Sequence, residues 1–194
     1  MNSVNDVLQV SGGVTISSGG EIVNSGRIDV AKSWDDSAAS GAFTPIGGTV
    51  RFGGAGTVKQ RSVATRNNFF NFEVTAGARS IAATDANADG TLDINGNVTI
   101  TGGTFAPGTF THTVAGNWDD SAATGAFAPA AGTINFDGAG TIKQRSAVTR
   151  NSFFGMTISA GARSIAATDA NSDGTLDING GVLINGTGSF APPP

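Results

Sequence analysis

The sequence predicts an all-β chain wound as a parallel solenoid, and three observations carry that expectation. The first is a repeat with a period of 84 positions: WDDSAASGAF at Trp34 returns as WDDSAATGAF at Trp118, and DANADGTLDING at Asp85 returns as DANSDGTLDING at Asp169. Aligning residues 34–100 with 118–184 leaves 19 mismatches in 67 positions and no gap. The second is strict period-two alternation of apolar residues in runs of 3 to 7 residues between Gly, Asn and Asp, the mark of half-buried strands. The third is the junction between copies, DGTLDINGNVTI, which lacks the Pro- or Ser-rich spacer expected between antiparallel sandwich domains. Stacked supersecondary units with one continuous core satisfy all three.

Residues 1–7 read as a lead-in, 8–91 as the first repeat, 92–175 as the second and 176–194 as the opening of a third, all in a single solenoid. The first copy alternates at Val14 and Ile16, at Val50 and Phe52, at Phe70, Phe72 and Val74, at Leu92 and Ile94, and at Val98 and Ile100. The second keeps the parity at Ile134 and Phe136, at Phe154, Met156 and Ile158, at Leu176 and Ile178, and at Val182 and Ile184. Exchanges at these positions stay apolar, as a filled core requires: Val50 becomes Ile134, Phe72 becomes Met156 and Val74 becomes Ile158. Adjacent strand residues face opposite sides, so Phe69 with Phe70 and Phe153 with Phe154 send one ring in and one out. At roughly 20–24 residues per coil each repeat supplies about four coils, and a spacing of about 4.8 Å gives a rod of roughly 40 Å. The end coils are sheet edges over an open core. Residues 21–33 diverge most from their later counterparts, a pattern that would also suit a capping coil.

Composition removes several classes of function. The 29 Gly and 6 Pro act as turn punctuation rather than as a disordered segment. With no Cys there is neither a disulfide framework nor a thiolate metal site. A net charge of -4 argues against nonspecific nucleic-acid binding. No apolar run reaches the roughly 18 residues of a membrane span, and MNSVNDVLQV has no secretion-signal pattern. The break inside the third copy suits either a piece of a longer protein or a subunit whose ends stack.

The stretch NVTITGGTFAPGTFTHTVAGNWDDSAATGAFAPAAGTINFDGAGTIKQ resembles the tandem repeats of very large bacterial secreted and cell-surface proteins, adhesin- or autotransporter-like. Their order of a strand pair, a VAGNW segment, a GxFxPxxGTVxFxGxGTQ stretch and an aromatic strand falls here on residues 98–105, 114–118, 125–144 and 153–158. The resemblance implies a right-handed parallel β-helix serving as stalk, adhesin or surface fibre, extracellular or on the bacterial surface, with no active site. The DANADGTLDIN, KQRS and TRN segments depart from that pattern.

Those segments hold the candidate sites. Asp85, Asn87, Asp89, Thr91 and Asp93, repeated as Asp169, Asn171, Asp173, Thr175 and Asp177, resemble the calcium loop of EF-hand and dockerin-like modules. Oxygens at positions 1, 3, 5, 7 and 9 with Gly at 6 suit calcium, but position 12 is Gly96 or Gly180 instead of Glu, so binding would be weak. The alternative is an Asx-rich corner capping its own turn. Arg61 and Arg66, repeated as Arg145 and Arg150 and flanked by Lys59, Lys143, Arg79 and Arg163, would grip acidic glycans if coils aligned them, or would pair internally with Asp35, Asp36, Asp119 and Asp120. Trp34 and Trp118 would stack on sugar rings or close the core. His112, the single histidine, replaces Ile28 of the first copy and lies on the inward parity, so it reads as a packed side chain. An acid cluster of Asp85 and Asp89 with Arg79 is the weak case for catalysis, and scattered Thr positions argue against an ice-binding ladder.

The resulting expectation is a noncatalytic structural solenoid of an extracellular fibre. It would stack head to tail on copies of itself or on neighbouring repeats of a longer chain, with calcium held weakly at the Asp loops. A module that binds acidic glycans through Arg and Trp rows is the alternative.

Overall fold

The computed structural model describes residues 3, 5–63, 65–147 and 149–191. Residues 1, 2 and 4 of the expected lead-in, residues 192–194 of the third copy, and Ala64 and Val148 lie outside the described residues. Among the described residues there is no α-helix, and so none long and apolar enough to cross a membrane.

The chain winds as coils of three short segments. The first coil is β1 (Val7–Val10), β2 (Val14–Thr15) and β3 (Ile22–Asn24), and the second is β4 (Arg27–Val30), β5 (Trp34–Asp35) and β6 (Phe43–Pro45). The third is β7 (Thr49–Phe52), β8 (Gly56–Lys59) and the single bridge residue Phe69. The fourth is β9 (Asn71–Val74), β10 (Ala78–Ile81) and β11 (Asp93–Ile94), and the fifth is β12 (Val98–Ile100), β13 (Thr104–Ala106) and β14 (Thr111–Val114). Next come β15 (Trp118–Asp119), Phe127 and β16 (Thr133–Phe136), then β17 (Gly140–Lys143), Phe153 and β18 (Gly155–Ile158). The eighth coil is β19 (Ala162–Ile165), Ile178 and β20 (Val182–Ile184), and β21 (Ser189–Ala191) opens a ninth.

Stacking gives a three-sided prism. The first face is a nine-stranded sheet ordered β1-β4-β7-β9-β12-β15-β17-β19-β21, so eight turns separate its ends. The second face runs β2-β5-β8-β10-β13 and continues through the Phe105 to Phe127 bridge. The third begins as the β3-β6 pair and continues as β11-β14-β16-β18-β20. Neighbouring strands pair in parallel throughout, from Val7 with Arg27 at one end to Arg163 with Phe190 at the other, which excludes the antiparallel sandwich.

The repeat does not fill a whole number of coils. β1 lies on the first face, but its equivalent one repeat on, β11, lies on the third; β2 lies on the second face and its equivalent β12 on the first. Ten strands and the Phe69 segment separate the two starting points, so a repeat spans three and two-thirds coils rather than the expected four. Each copy is thus carried one face around the prism from the copy before it.

Inward side chains of successive coils form continuous apolar columns, such as Ile28, Val50 and Phe72, or Val114, Phe136 and Ile158. Each copy adds an aromatic triangle. Trp34, Phe43 and Phe69 have ring centroids 4.8–5.8 Å apart, and Trp118, Phe127 and Phe153 repeat the arrangement at 4.8–5.5 Å. Phe70 and Phe154 do not extend the inward parity of their strands. The chain turns a corner between Phe69 and Asn71, which leaves Phe70 exposed, and Phe154 is exposed in the same way.

One buried element was absent from the hydrophobic pattern. Arg79 and Arg163 are fully buried and point inward. The Arg79 guanidinium passes beneath the Phe52 ring, 4.5 Å from its centroid, and donates to the Lys32 and Val30 carbonyls two coils back. Arg163 does the same at Phe136, donating to the Gly116, Val114 and Ala115 carbonyls. Each tie crosses the intervening coil at a glycine: a Cβ at Gly56 or Gly140 would lie 2.8 or 2.9 Å from the guanidinium Nη1. Burial lowers both guanidinium pKa values to about 10, so both stay charged at neutral pH.

Candidate functional site

The WDDS, KQRS and DANADG motifs, separate in sequence, form one stacked corner of the prism. WDDS occupies residues 34–37 of the second coil, KQRS residues 59–62 of the third and the Asp loop residues 85–93 of the fourth. Each motif follows the last by about one coil and so lies over it: Arg61 meets Asp36, and Asp85 meets Lys59.

The base of the corner is buried. Trp34 donates from Nε1 to the Asp36 carboxylate at 3.0 Å, and Asp36 also accepts the Arg61 backbone N–H at 3.0 Å. Asn67 ties down residues 36–41: its amide nitrogen donates to the Asp36 and Ala39 carbonyls and its Oδ1 accepts from the Gly41 N–H. Burial raises the Asp36 carboxyl above the usual carboxylate range. In the second copy Trp118 Nε1 and Asp120 Oδ2 fall outside hydrogen-bond geometry. Burial there pushes Asp120 up to about 7, against the opposing pull of the Arg145 N–H, which Asp120 accepts at 3.2 Å.

The upper tier is closed by its own hydrogen bonds. Asp85 accepts the backbone N–H groups of Asn87 and Ala88 at 2.8 and 3.0 Å on one oxygen, and the Lys59 ammonium holds the other. The Asn87 side-chain oxygen accepts from Arg61 at 3.1 Å, and its backbone carbonyl accepts from Ser62 and Val63. Asp89 caps Thr91 N–H at 2.9 Å, while Asp93 accepts the Thr113 hydroxyl at 2.8 Å from the next coil. Gly90 at φ +87° makes the bend its position demanded. The second copy repeats the contacts of Lys143 with Asp169, Arg145 with Asn171 and Asp173 with Thr175, and in both copies the glutamine Oε1 of KQRS accepts a loop N–H, Gln60 from Asp93 and Gln144 from Asp177. The lysine bond lowers the pKa of Asp85 and of Asp169 and raises those of Lys59 and Lys143.

As a cation site this arrangement is self-neutralised. Three carboxylates, Asp85, Asp89 and Asp93, sit with Lys59, Arg61 and Arg66. Among the described residues no group of three or more His, Cys, Asp or Glu side chains converges on a point that could hold a metal. Calcium at Asp85 would have to displace an ammonium group and find most of its six to eight oxygens elsewhere.

The glycan rows do not form. Trp34 and Trp118 are fully buried in the aromatic triangles, so neither presents a face to a sugar. Arg61 and Arg145 lie three and two-thirds coils apart on different edges of the prism, so the two copies cannot align as a ladder. Neither guanidinium pairs with Asp35, Asp36, Asp119 or Asp120; each binds a backbone carbonyl, that of Ser37 or Ser121, and an Asn side chain. The exposed Arg66 donates from Nε to the Ser62 carbonyl at 3.2 Å and, like Arg150, lies on the corner near the Asp loop. His112 is buried: it accepts the Leu92 N–H on Nδ1 at 3.1 Å and lies 3.1 Å from the Pro107 carbonyl through Nε2. The proposed acid pair with Arg79 is not assembled, because Arg79 is inside the core and the two acids are at the surface corner.

Between copies the corner motifs are retained while the neighbouring sheet surface changes. Arg27, Asp29, Arg51 and Glu73, which form two ion pairs on the first face, correspond to Thr111, Thr113, Asn135 and Thr157. Comparison with known proteins gave no matching family model, no matching curated protein and no matching solved structure.

Proposed function

We propose that this chain is a noncatalytic structural solenoid, a rod segment of a bacterial extracellular fibre or stalk that extends end to end with copies of itself or with further repeats. The observation that carries the proposal is the contrast between the prism's middle and its ends. Interior columns are closed, whereas Val182, Leu183 and Ile184 of the last coil are 49–53% exposed and Val7 and Leu8 of the first coil are 43–47% exposed. The inward residues there, Val182, Ile184 and Leu8, are core positions that lack a neighbouring coil. Each is already about half covered, so covering the remainder is worth about 1 kcal/mol. The corner supports the same proposal, since most of its polar side chains are committed to hydrogen bonds within the fold.

The location rests on the resemblance to surface-protein repeats. Calcium enters the proposal only as a weak occupant that displaces Lys59 and Lys143. Negative-stain electron microscopy over a range of concentrations, in calcium and in chelator, tests the proposal. Filaments or end-to-end strings are expected in both buffers. Uniform rods of about 40 Å at every concentration would overturn it.

A further inference from the structure

Short corners run along the prism edges in columns. Three-residue corners at 11–13, 31–33, 53–55, 75–77 and 101–103 stack on the edge between the first and second faces. Those at 95–97, 115–117, 137–139 and 159–161 stack on the edge between the third and first faces, followed by the four-residue corner 185–188. Each repeat lays down one such column and the next repeat moves to the adjoining edge. The last coil already starts a column on the remaining edge: residues 179–181, Asn-Gly-Gly, turn the chain from Ile178 into β20. They correspond position by position to Ser11, Gly12 and Gly13 of the first coil.

We infer that a second copy of this chain seats its first coil on the last coil of the first copy, like strand upon like strand. β1 then lies over the Ile178 segment, β2 over β20 and β3 over β21. This rests on the end-to-end proposal above and adds its register. The column begun at 179–181 continues into 11–13, 31–33 and 53–55 of the incoming chain. Val182 meets the partly exposed Val14, so that apolar column runs on, and Ile184 comes opposite Ile16, which its own coil already holds at 5% exposure. Every strand in the prism already runs parallel to its neighbours, so stacking along the axis extends the ladders without inverting a chain.

The seating fixes a symmetry. Two repeats carry the chain seven and one-third coils, and the added contact is one coil more. Each copy therefore advances eight and one-third coils, about 40 Å at about 4.8 Å per coil, and turns by one face relative to the copy before. Three copies, about 120 Å, bring the same face back into line apart from any coil-to-coil twist. The contact is heterologous and does not close, so it propagates.

The described chain has no cysteine, so engineered pairs report the seating directly. Leu183→Cys with Thr15→Cys places the two thiols on adjacent strands of neighbouring copies, as Thr99 and Asp119 are placed within the chain. Adjacent parallel strands fall inside the Cα separation of about 4.4–6.8 Å that a disulfide spans. Mild oxidation is expected to give a ladder of covalent multimers on a denaturing gel. Leu183→Cys with Gln9→Cys, or with Val23→Cys, reports the two other seatings of β20 and is expected to remain monomeric or stop at a dimer. A ladder from either of those pairs overturns the like-on-like register and leaves end-to-end stacking in place. No ladder from any pair, with no concentration-dependent growth in sedimentation, overturns both.

Discussion

Asp120 and His112 are buried groups whose titrations oppose each other, and separating them tests the energetics of the corner. Asp120 has its pKa raised by burial from 3.8 to about 7. Its folded pKa lies above its unfolded value, so the stabilisation it gives is full below pH 3.8 and is lost as pH rises through about 7. At 1.36 kcal/mol per pH unit, that is about 4 kcal/mol. His112 is shifted the other way, from 6.5 to about 4, chiefly by burial, partly offset by the Pro107 carbonyl and the charge of Asp89. Its folded pKa lies below its unfolded value, so its stabilisation is full above pH 6.5 and is lost as pH falls through about 4. That is worth about 3 kcal/mol.

Between about pH 4 and 7 the two slopes largely cancel, so the wild-type protein is expected to show little net change from this pair. Asp120→Asn removes the first slope. Relative to wild type, its stability is expected to improve by about 4 kcal/mol between pH 4 and pH 8. His112→Ile, which installs the residue found at Ile28, removes the second, and relative to wild type it is expected to gain about 3 kcal/mol between pH 7 and pH 4. Urea denaturation at one-unit pH steps measures both differences, in which the smaller upward shift of Asp36 cancels. Curves that stay parallel to wild type across the range would refute the argument that these groups are titrated by burial.

Gly56→Ala is expected to cost about 1–3 kcal/mol because its Cβ meets both Arg79 and the Lys32 backbone, and combining it with Arg79→Met should cost less than the sum of the two in thermal melts. Asn67→Ala leaves three backbone groups without their side-chain partner and should lower stability by about 2–4 kcal/mol. Hydrogen exchange of residues 36–41 should quicken before the rest of the chain does. Lys59→Met with Lys143→Met frees the two Asp loops, so calorimetric titration should show calcium heat at lower concentration than in wild type. An unchanged titration would count against the ammonium groups holding that position.

The architecture was legible because its causes are local. Period two marks strands such as Val50 to Phe52, and apolar exchanges such as Phe72 to Met156 mark which face is inside. What the sequence hid was phase. Nothing in the repeat spacing says whether a repeat closes four coils or falls one strand short, because the shortfall follows from counting segments as slight as Phe69, a single bridge residue. Phase in turn decided the fate of the Arg row, while burial in the aromatic triangles decided that of the tryptophans. The composite corner was equally hidden: WDDS, KQRS and DANADG are well separated along the chain, and only their stacking shows Lys59 on Asp85. The buried arginines gave one signal, a Gly at 56 and at 140 that precedes Arg79 and Arg163 by the same offset, but pairing them needs the register.

The missing third of a coil has a mechanical consequence. In the first copy the long corners, residues 36–42, 60–68 and 82–92, all leave the same edge of the prism in consecutive coils. A repeat of four whole coils would stack those insertions on one edge along the entire rod, loading one side with loops and leaving short corners on the others. Falling one segment short moves the load around instead: residues 120–126, 144–152 and 166–177 of the second copy leave the neighbouring edge. After three repeats each edge has carried the same sequence of corners, and any bend that the loops impose on one coil group is offset by the next two. A mismatch of a full third of a turn spreads the asymmetry over three directions, so a rod extended by further repeats is expected to keep a straight axis. Inserting one extra strand segment per repeat would restore four whole coils and should yield a visibly curved rod.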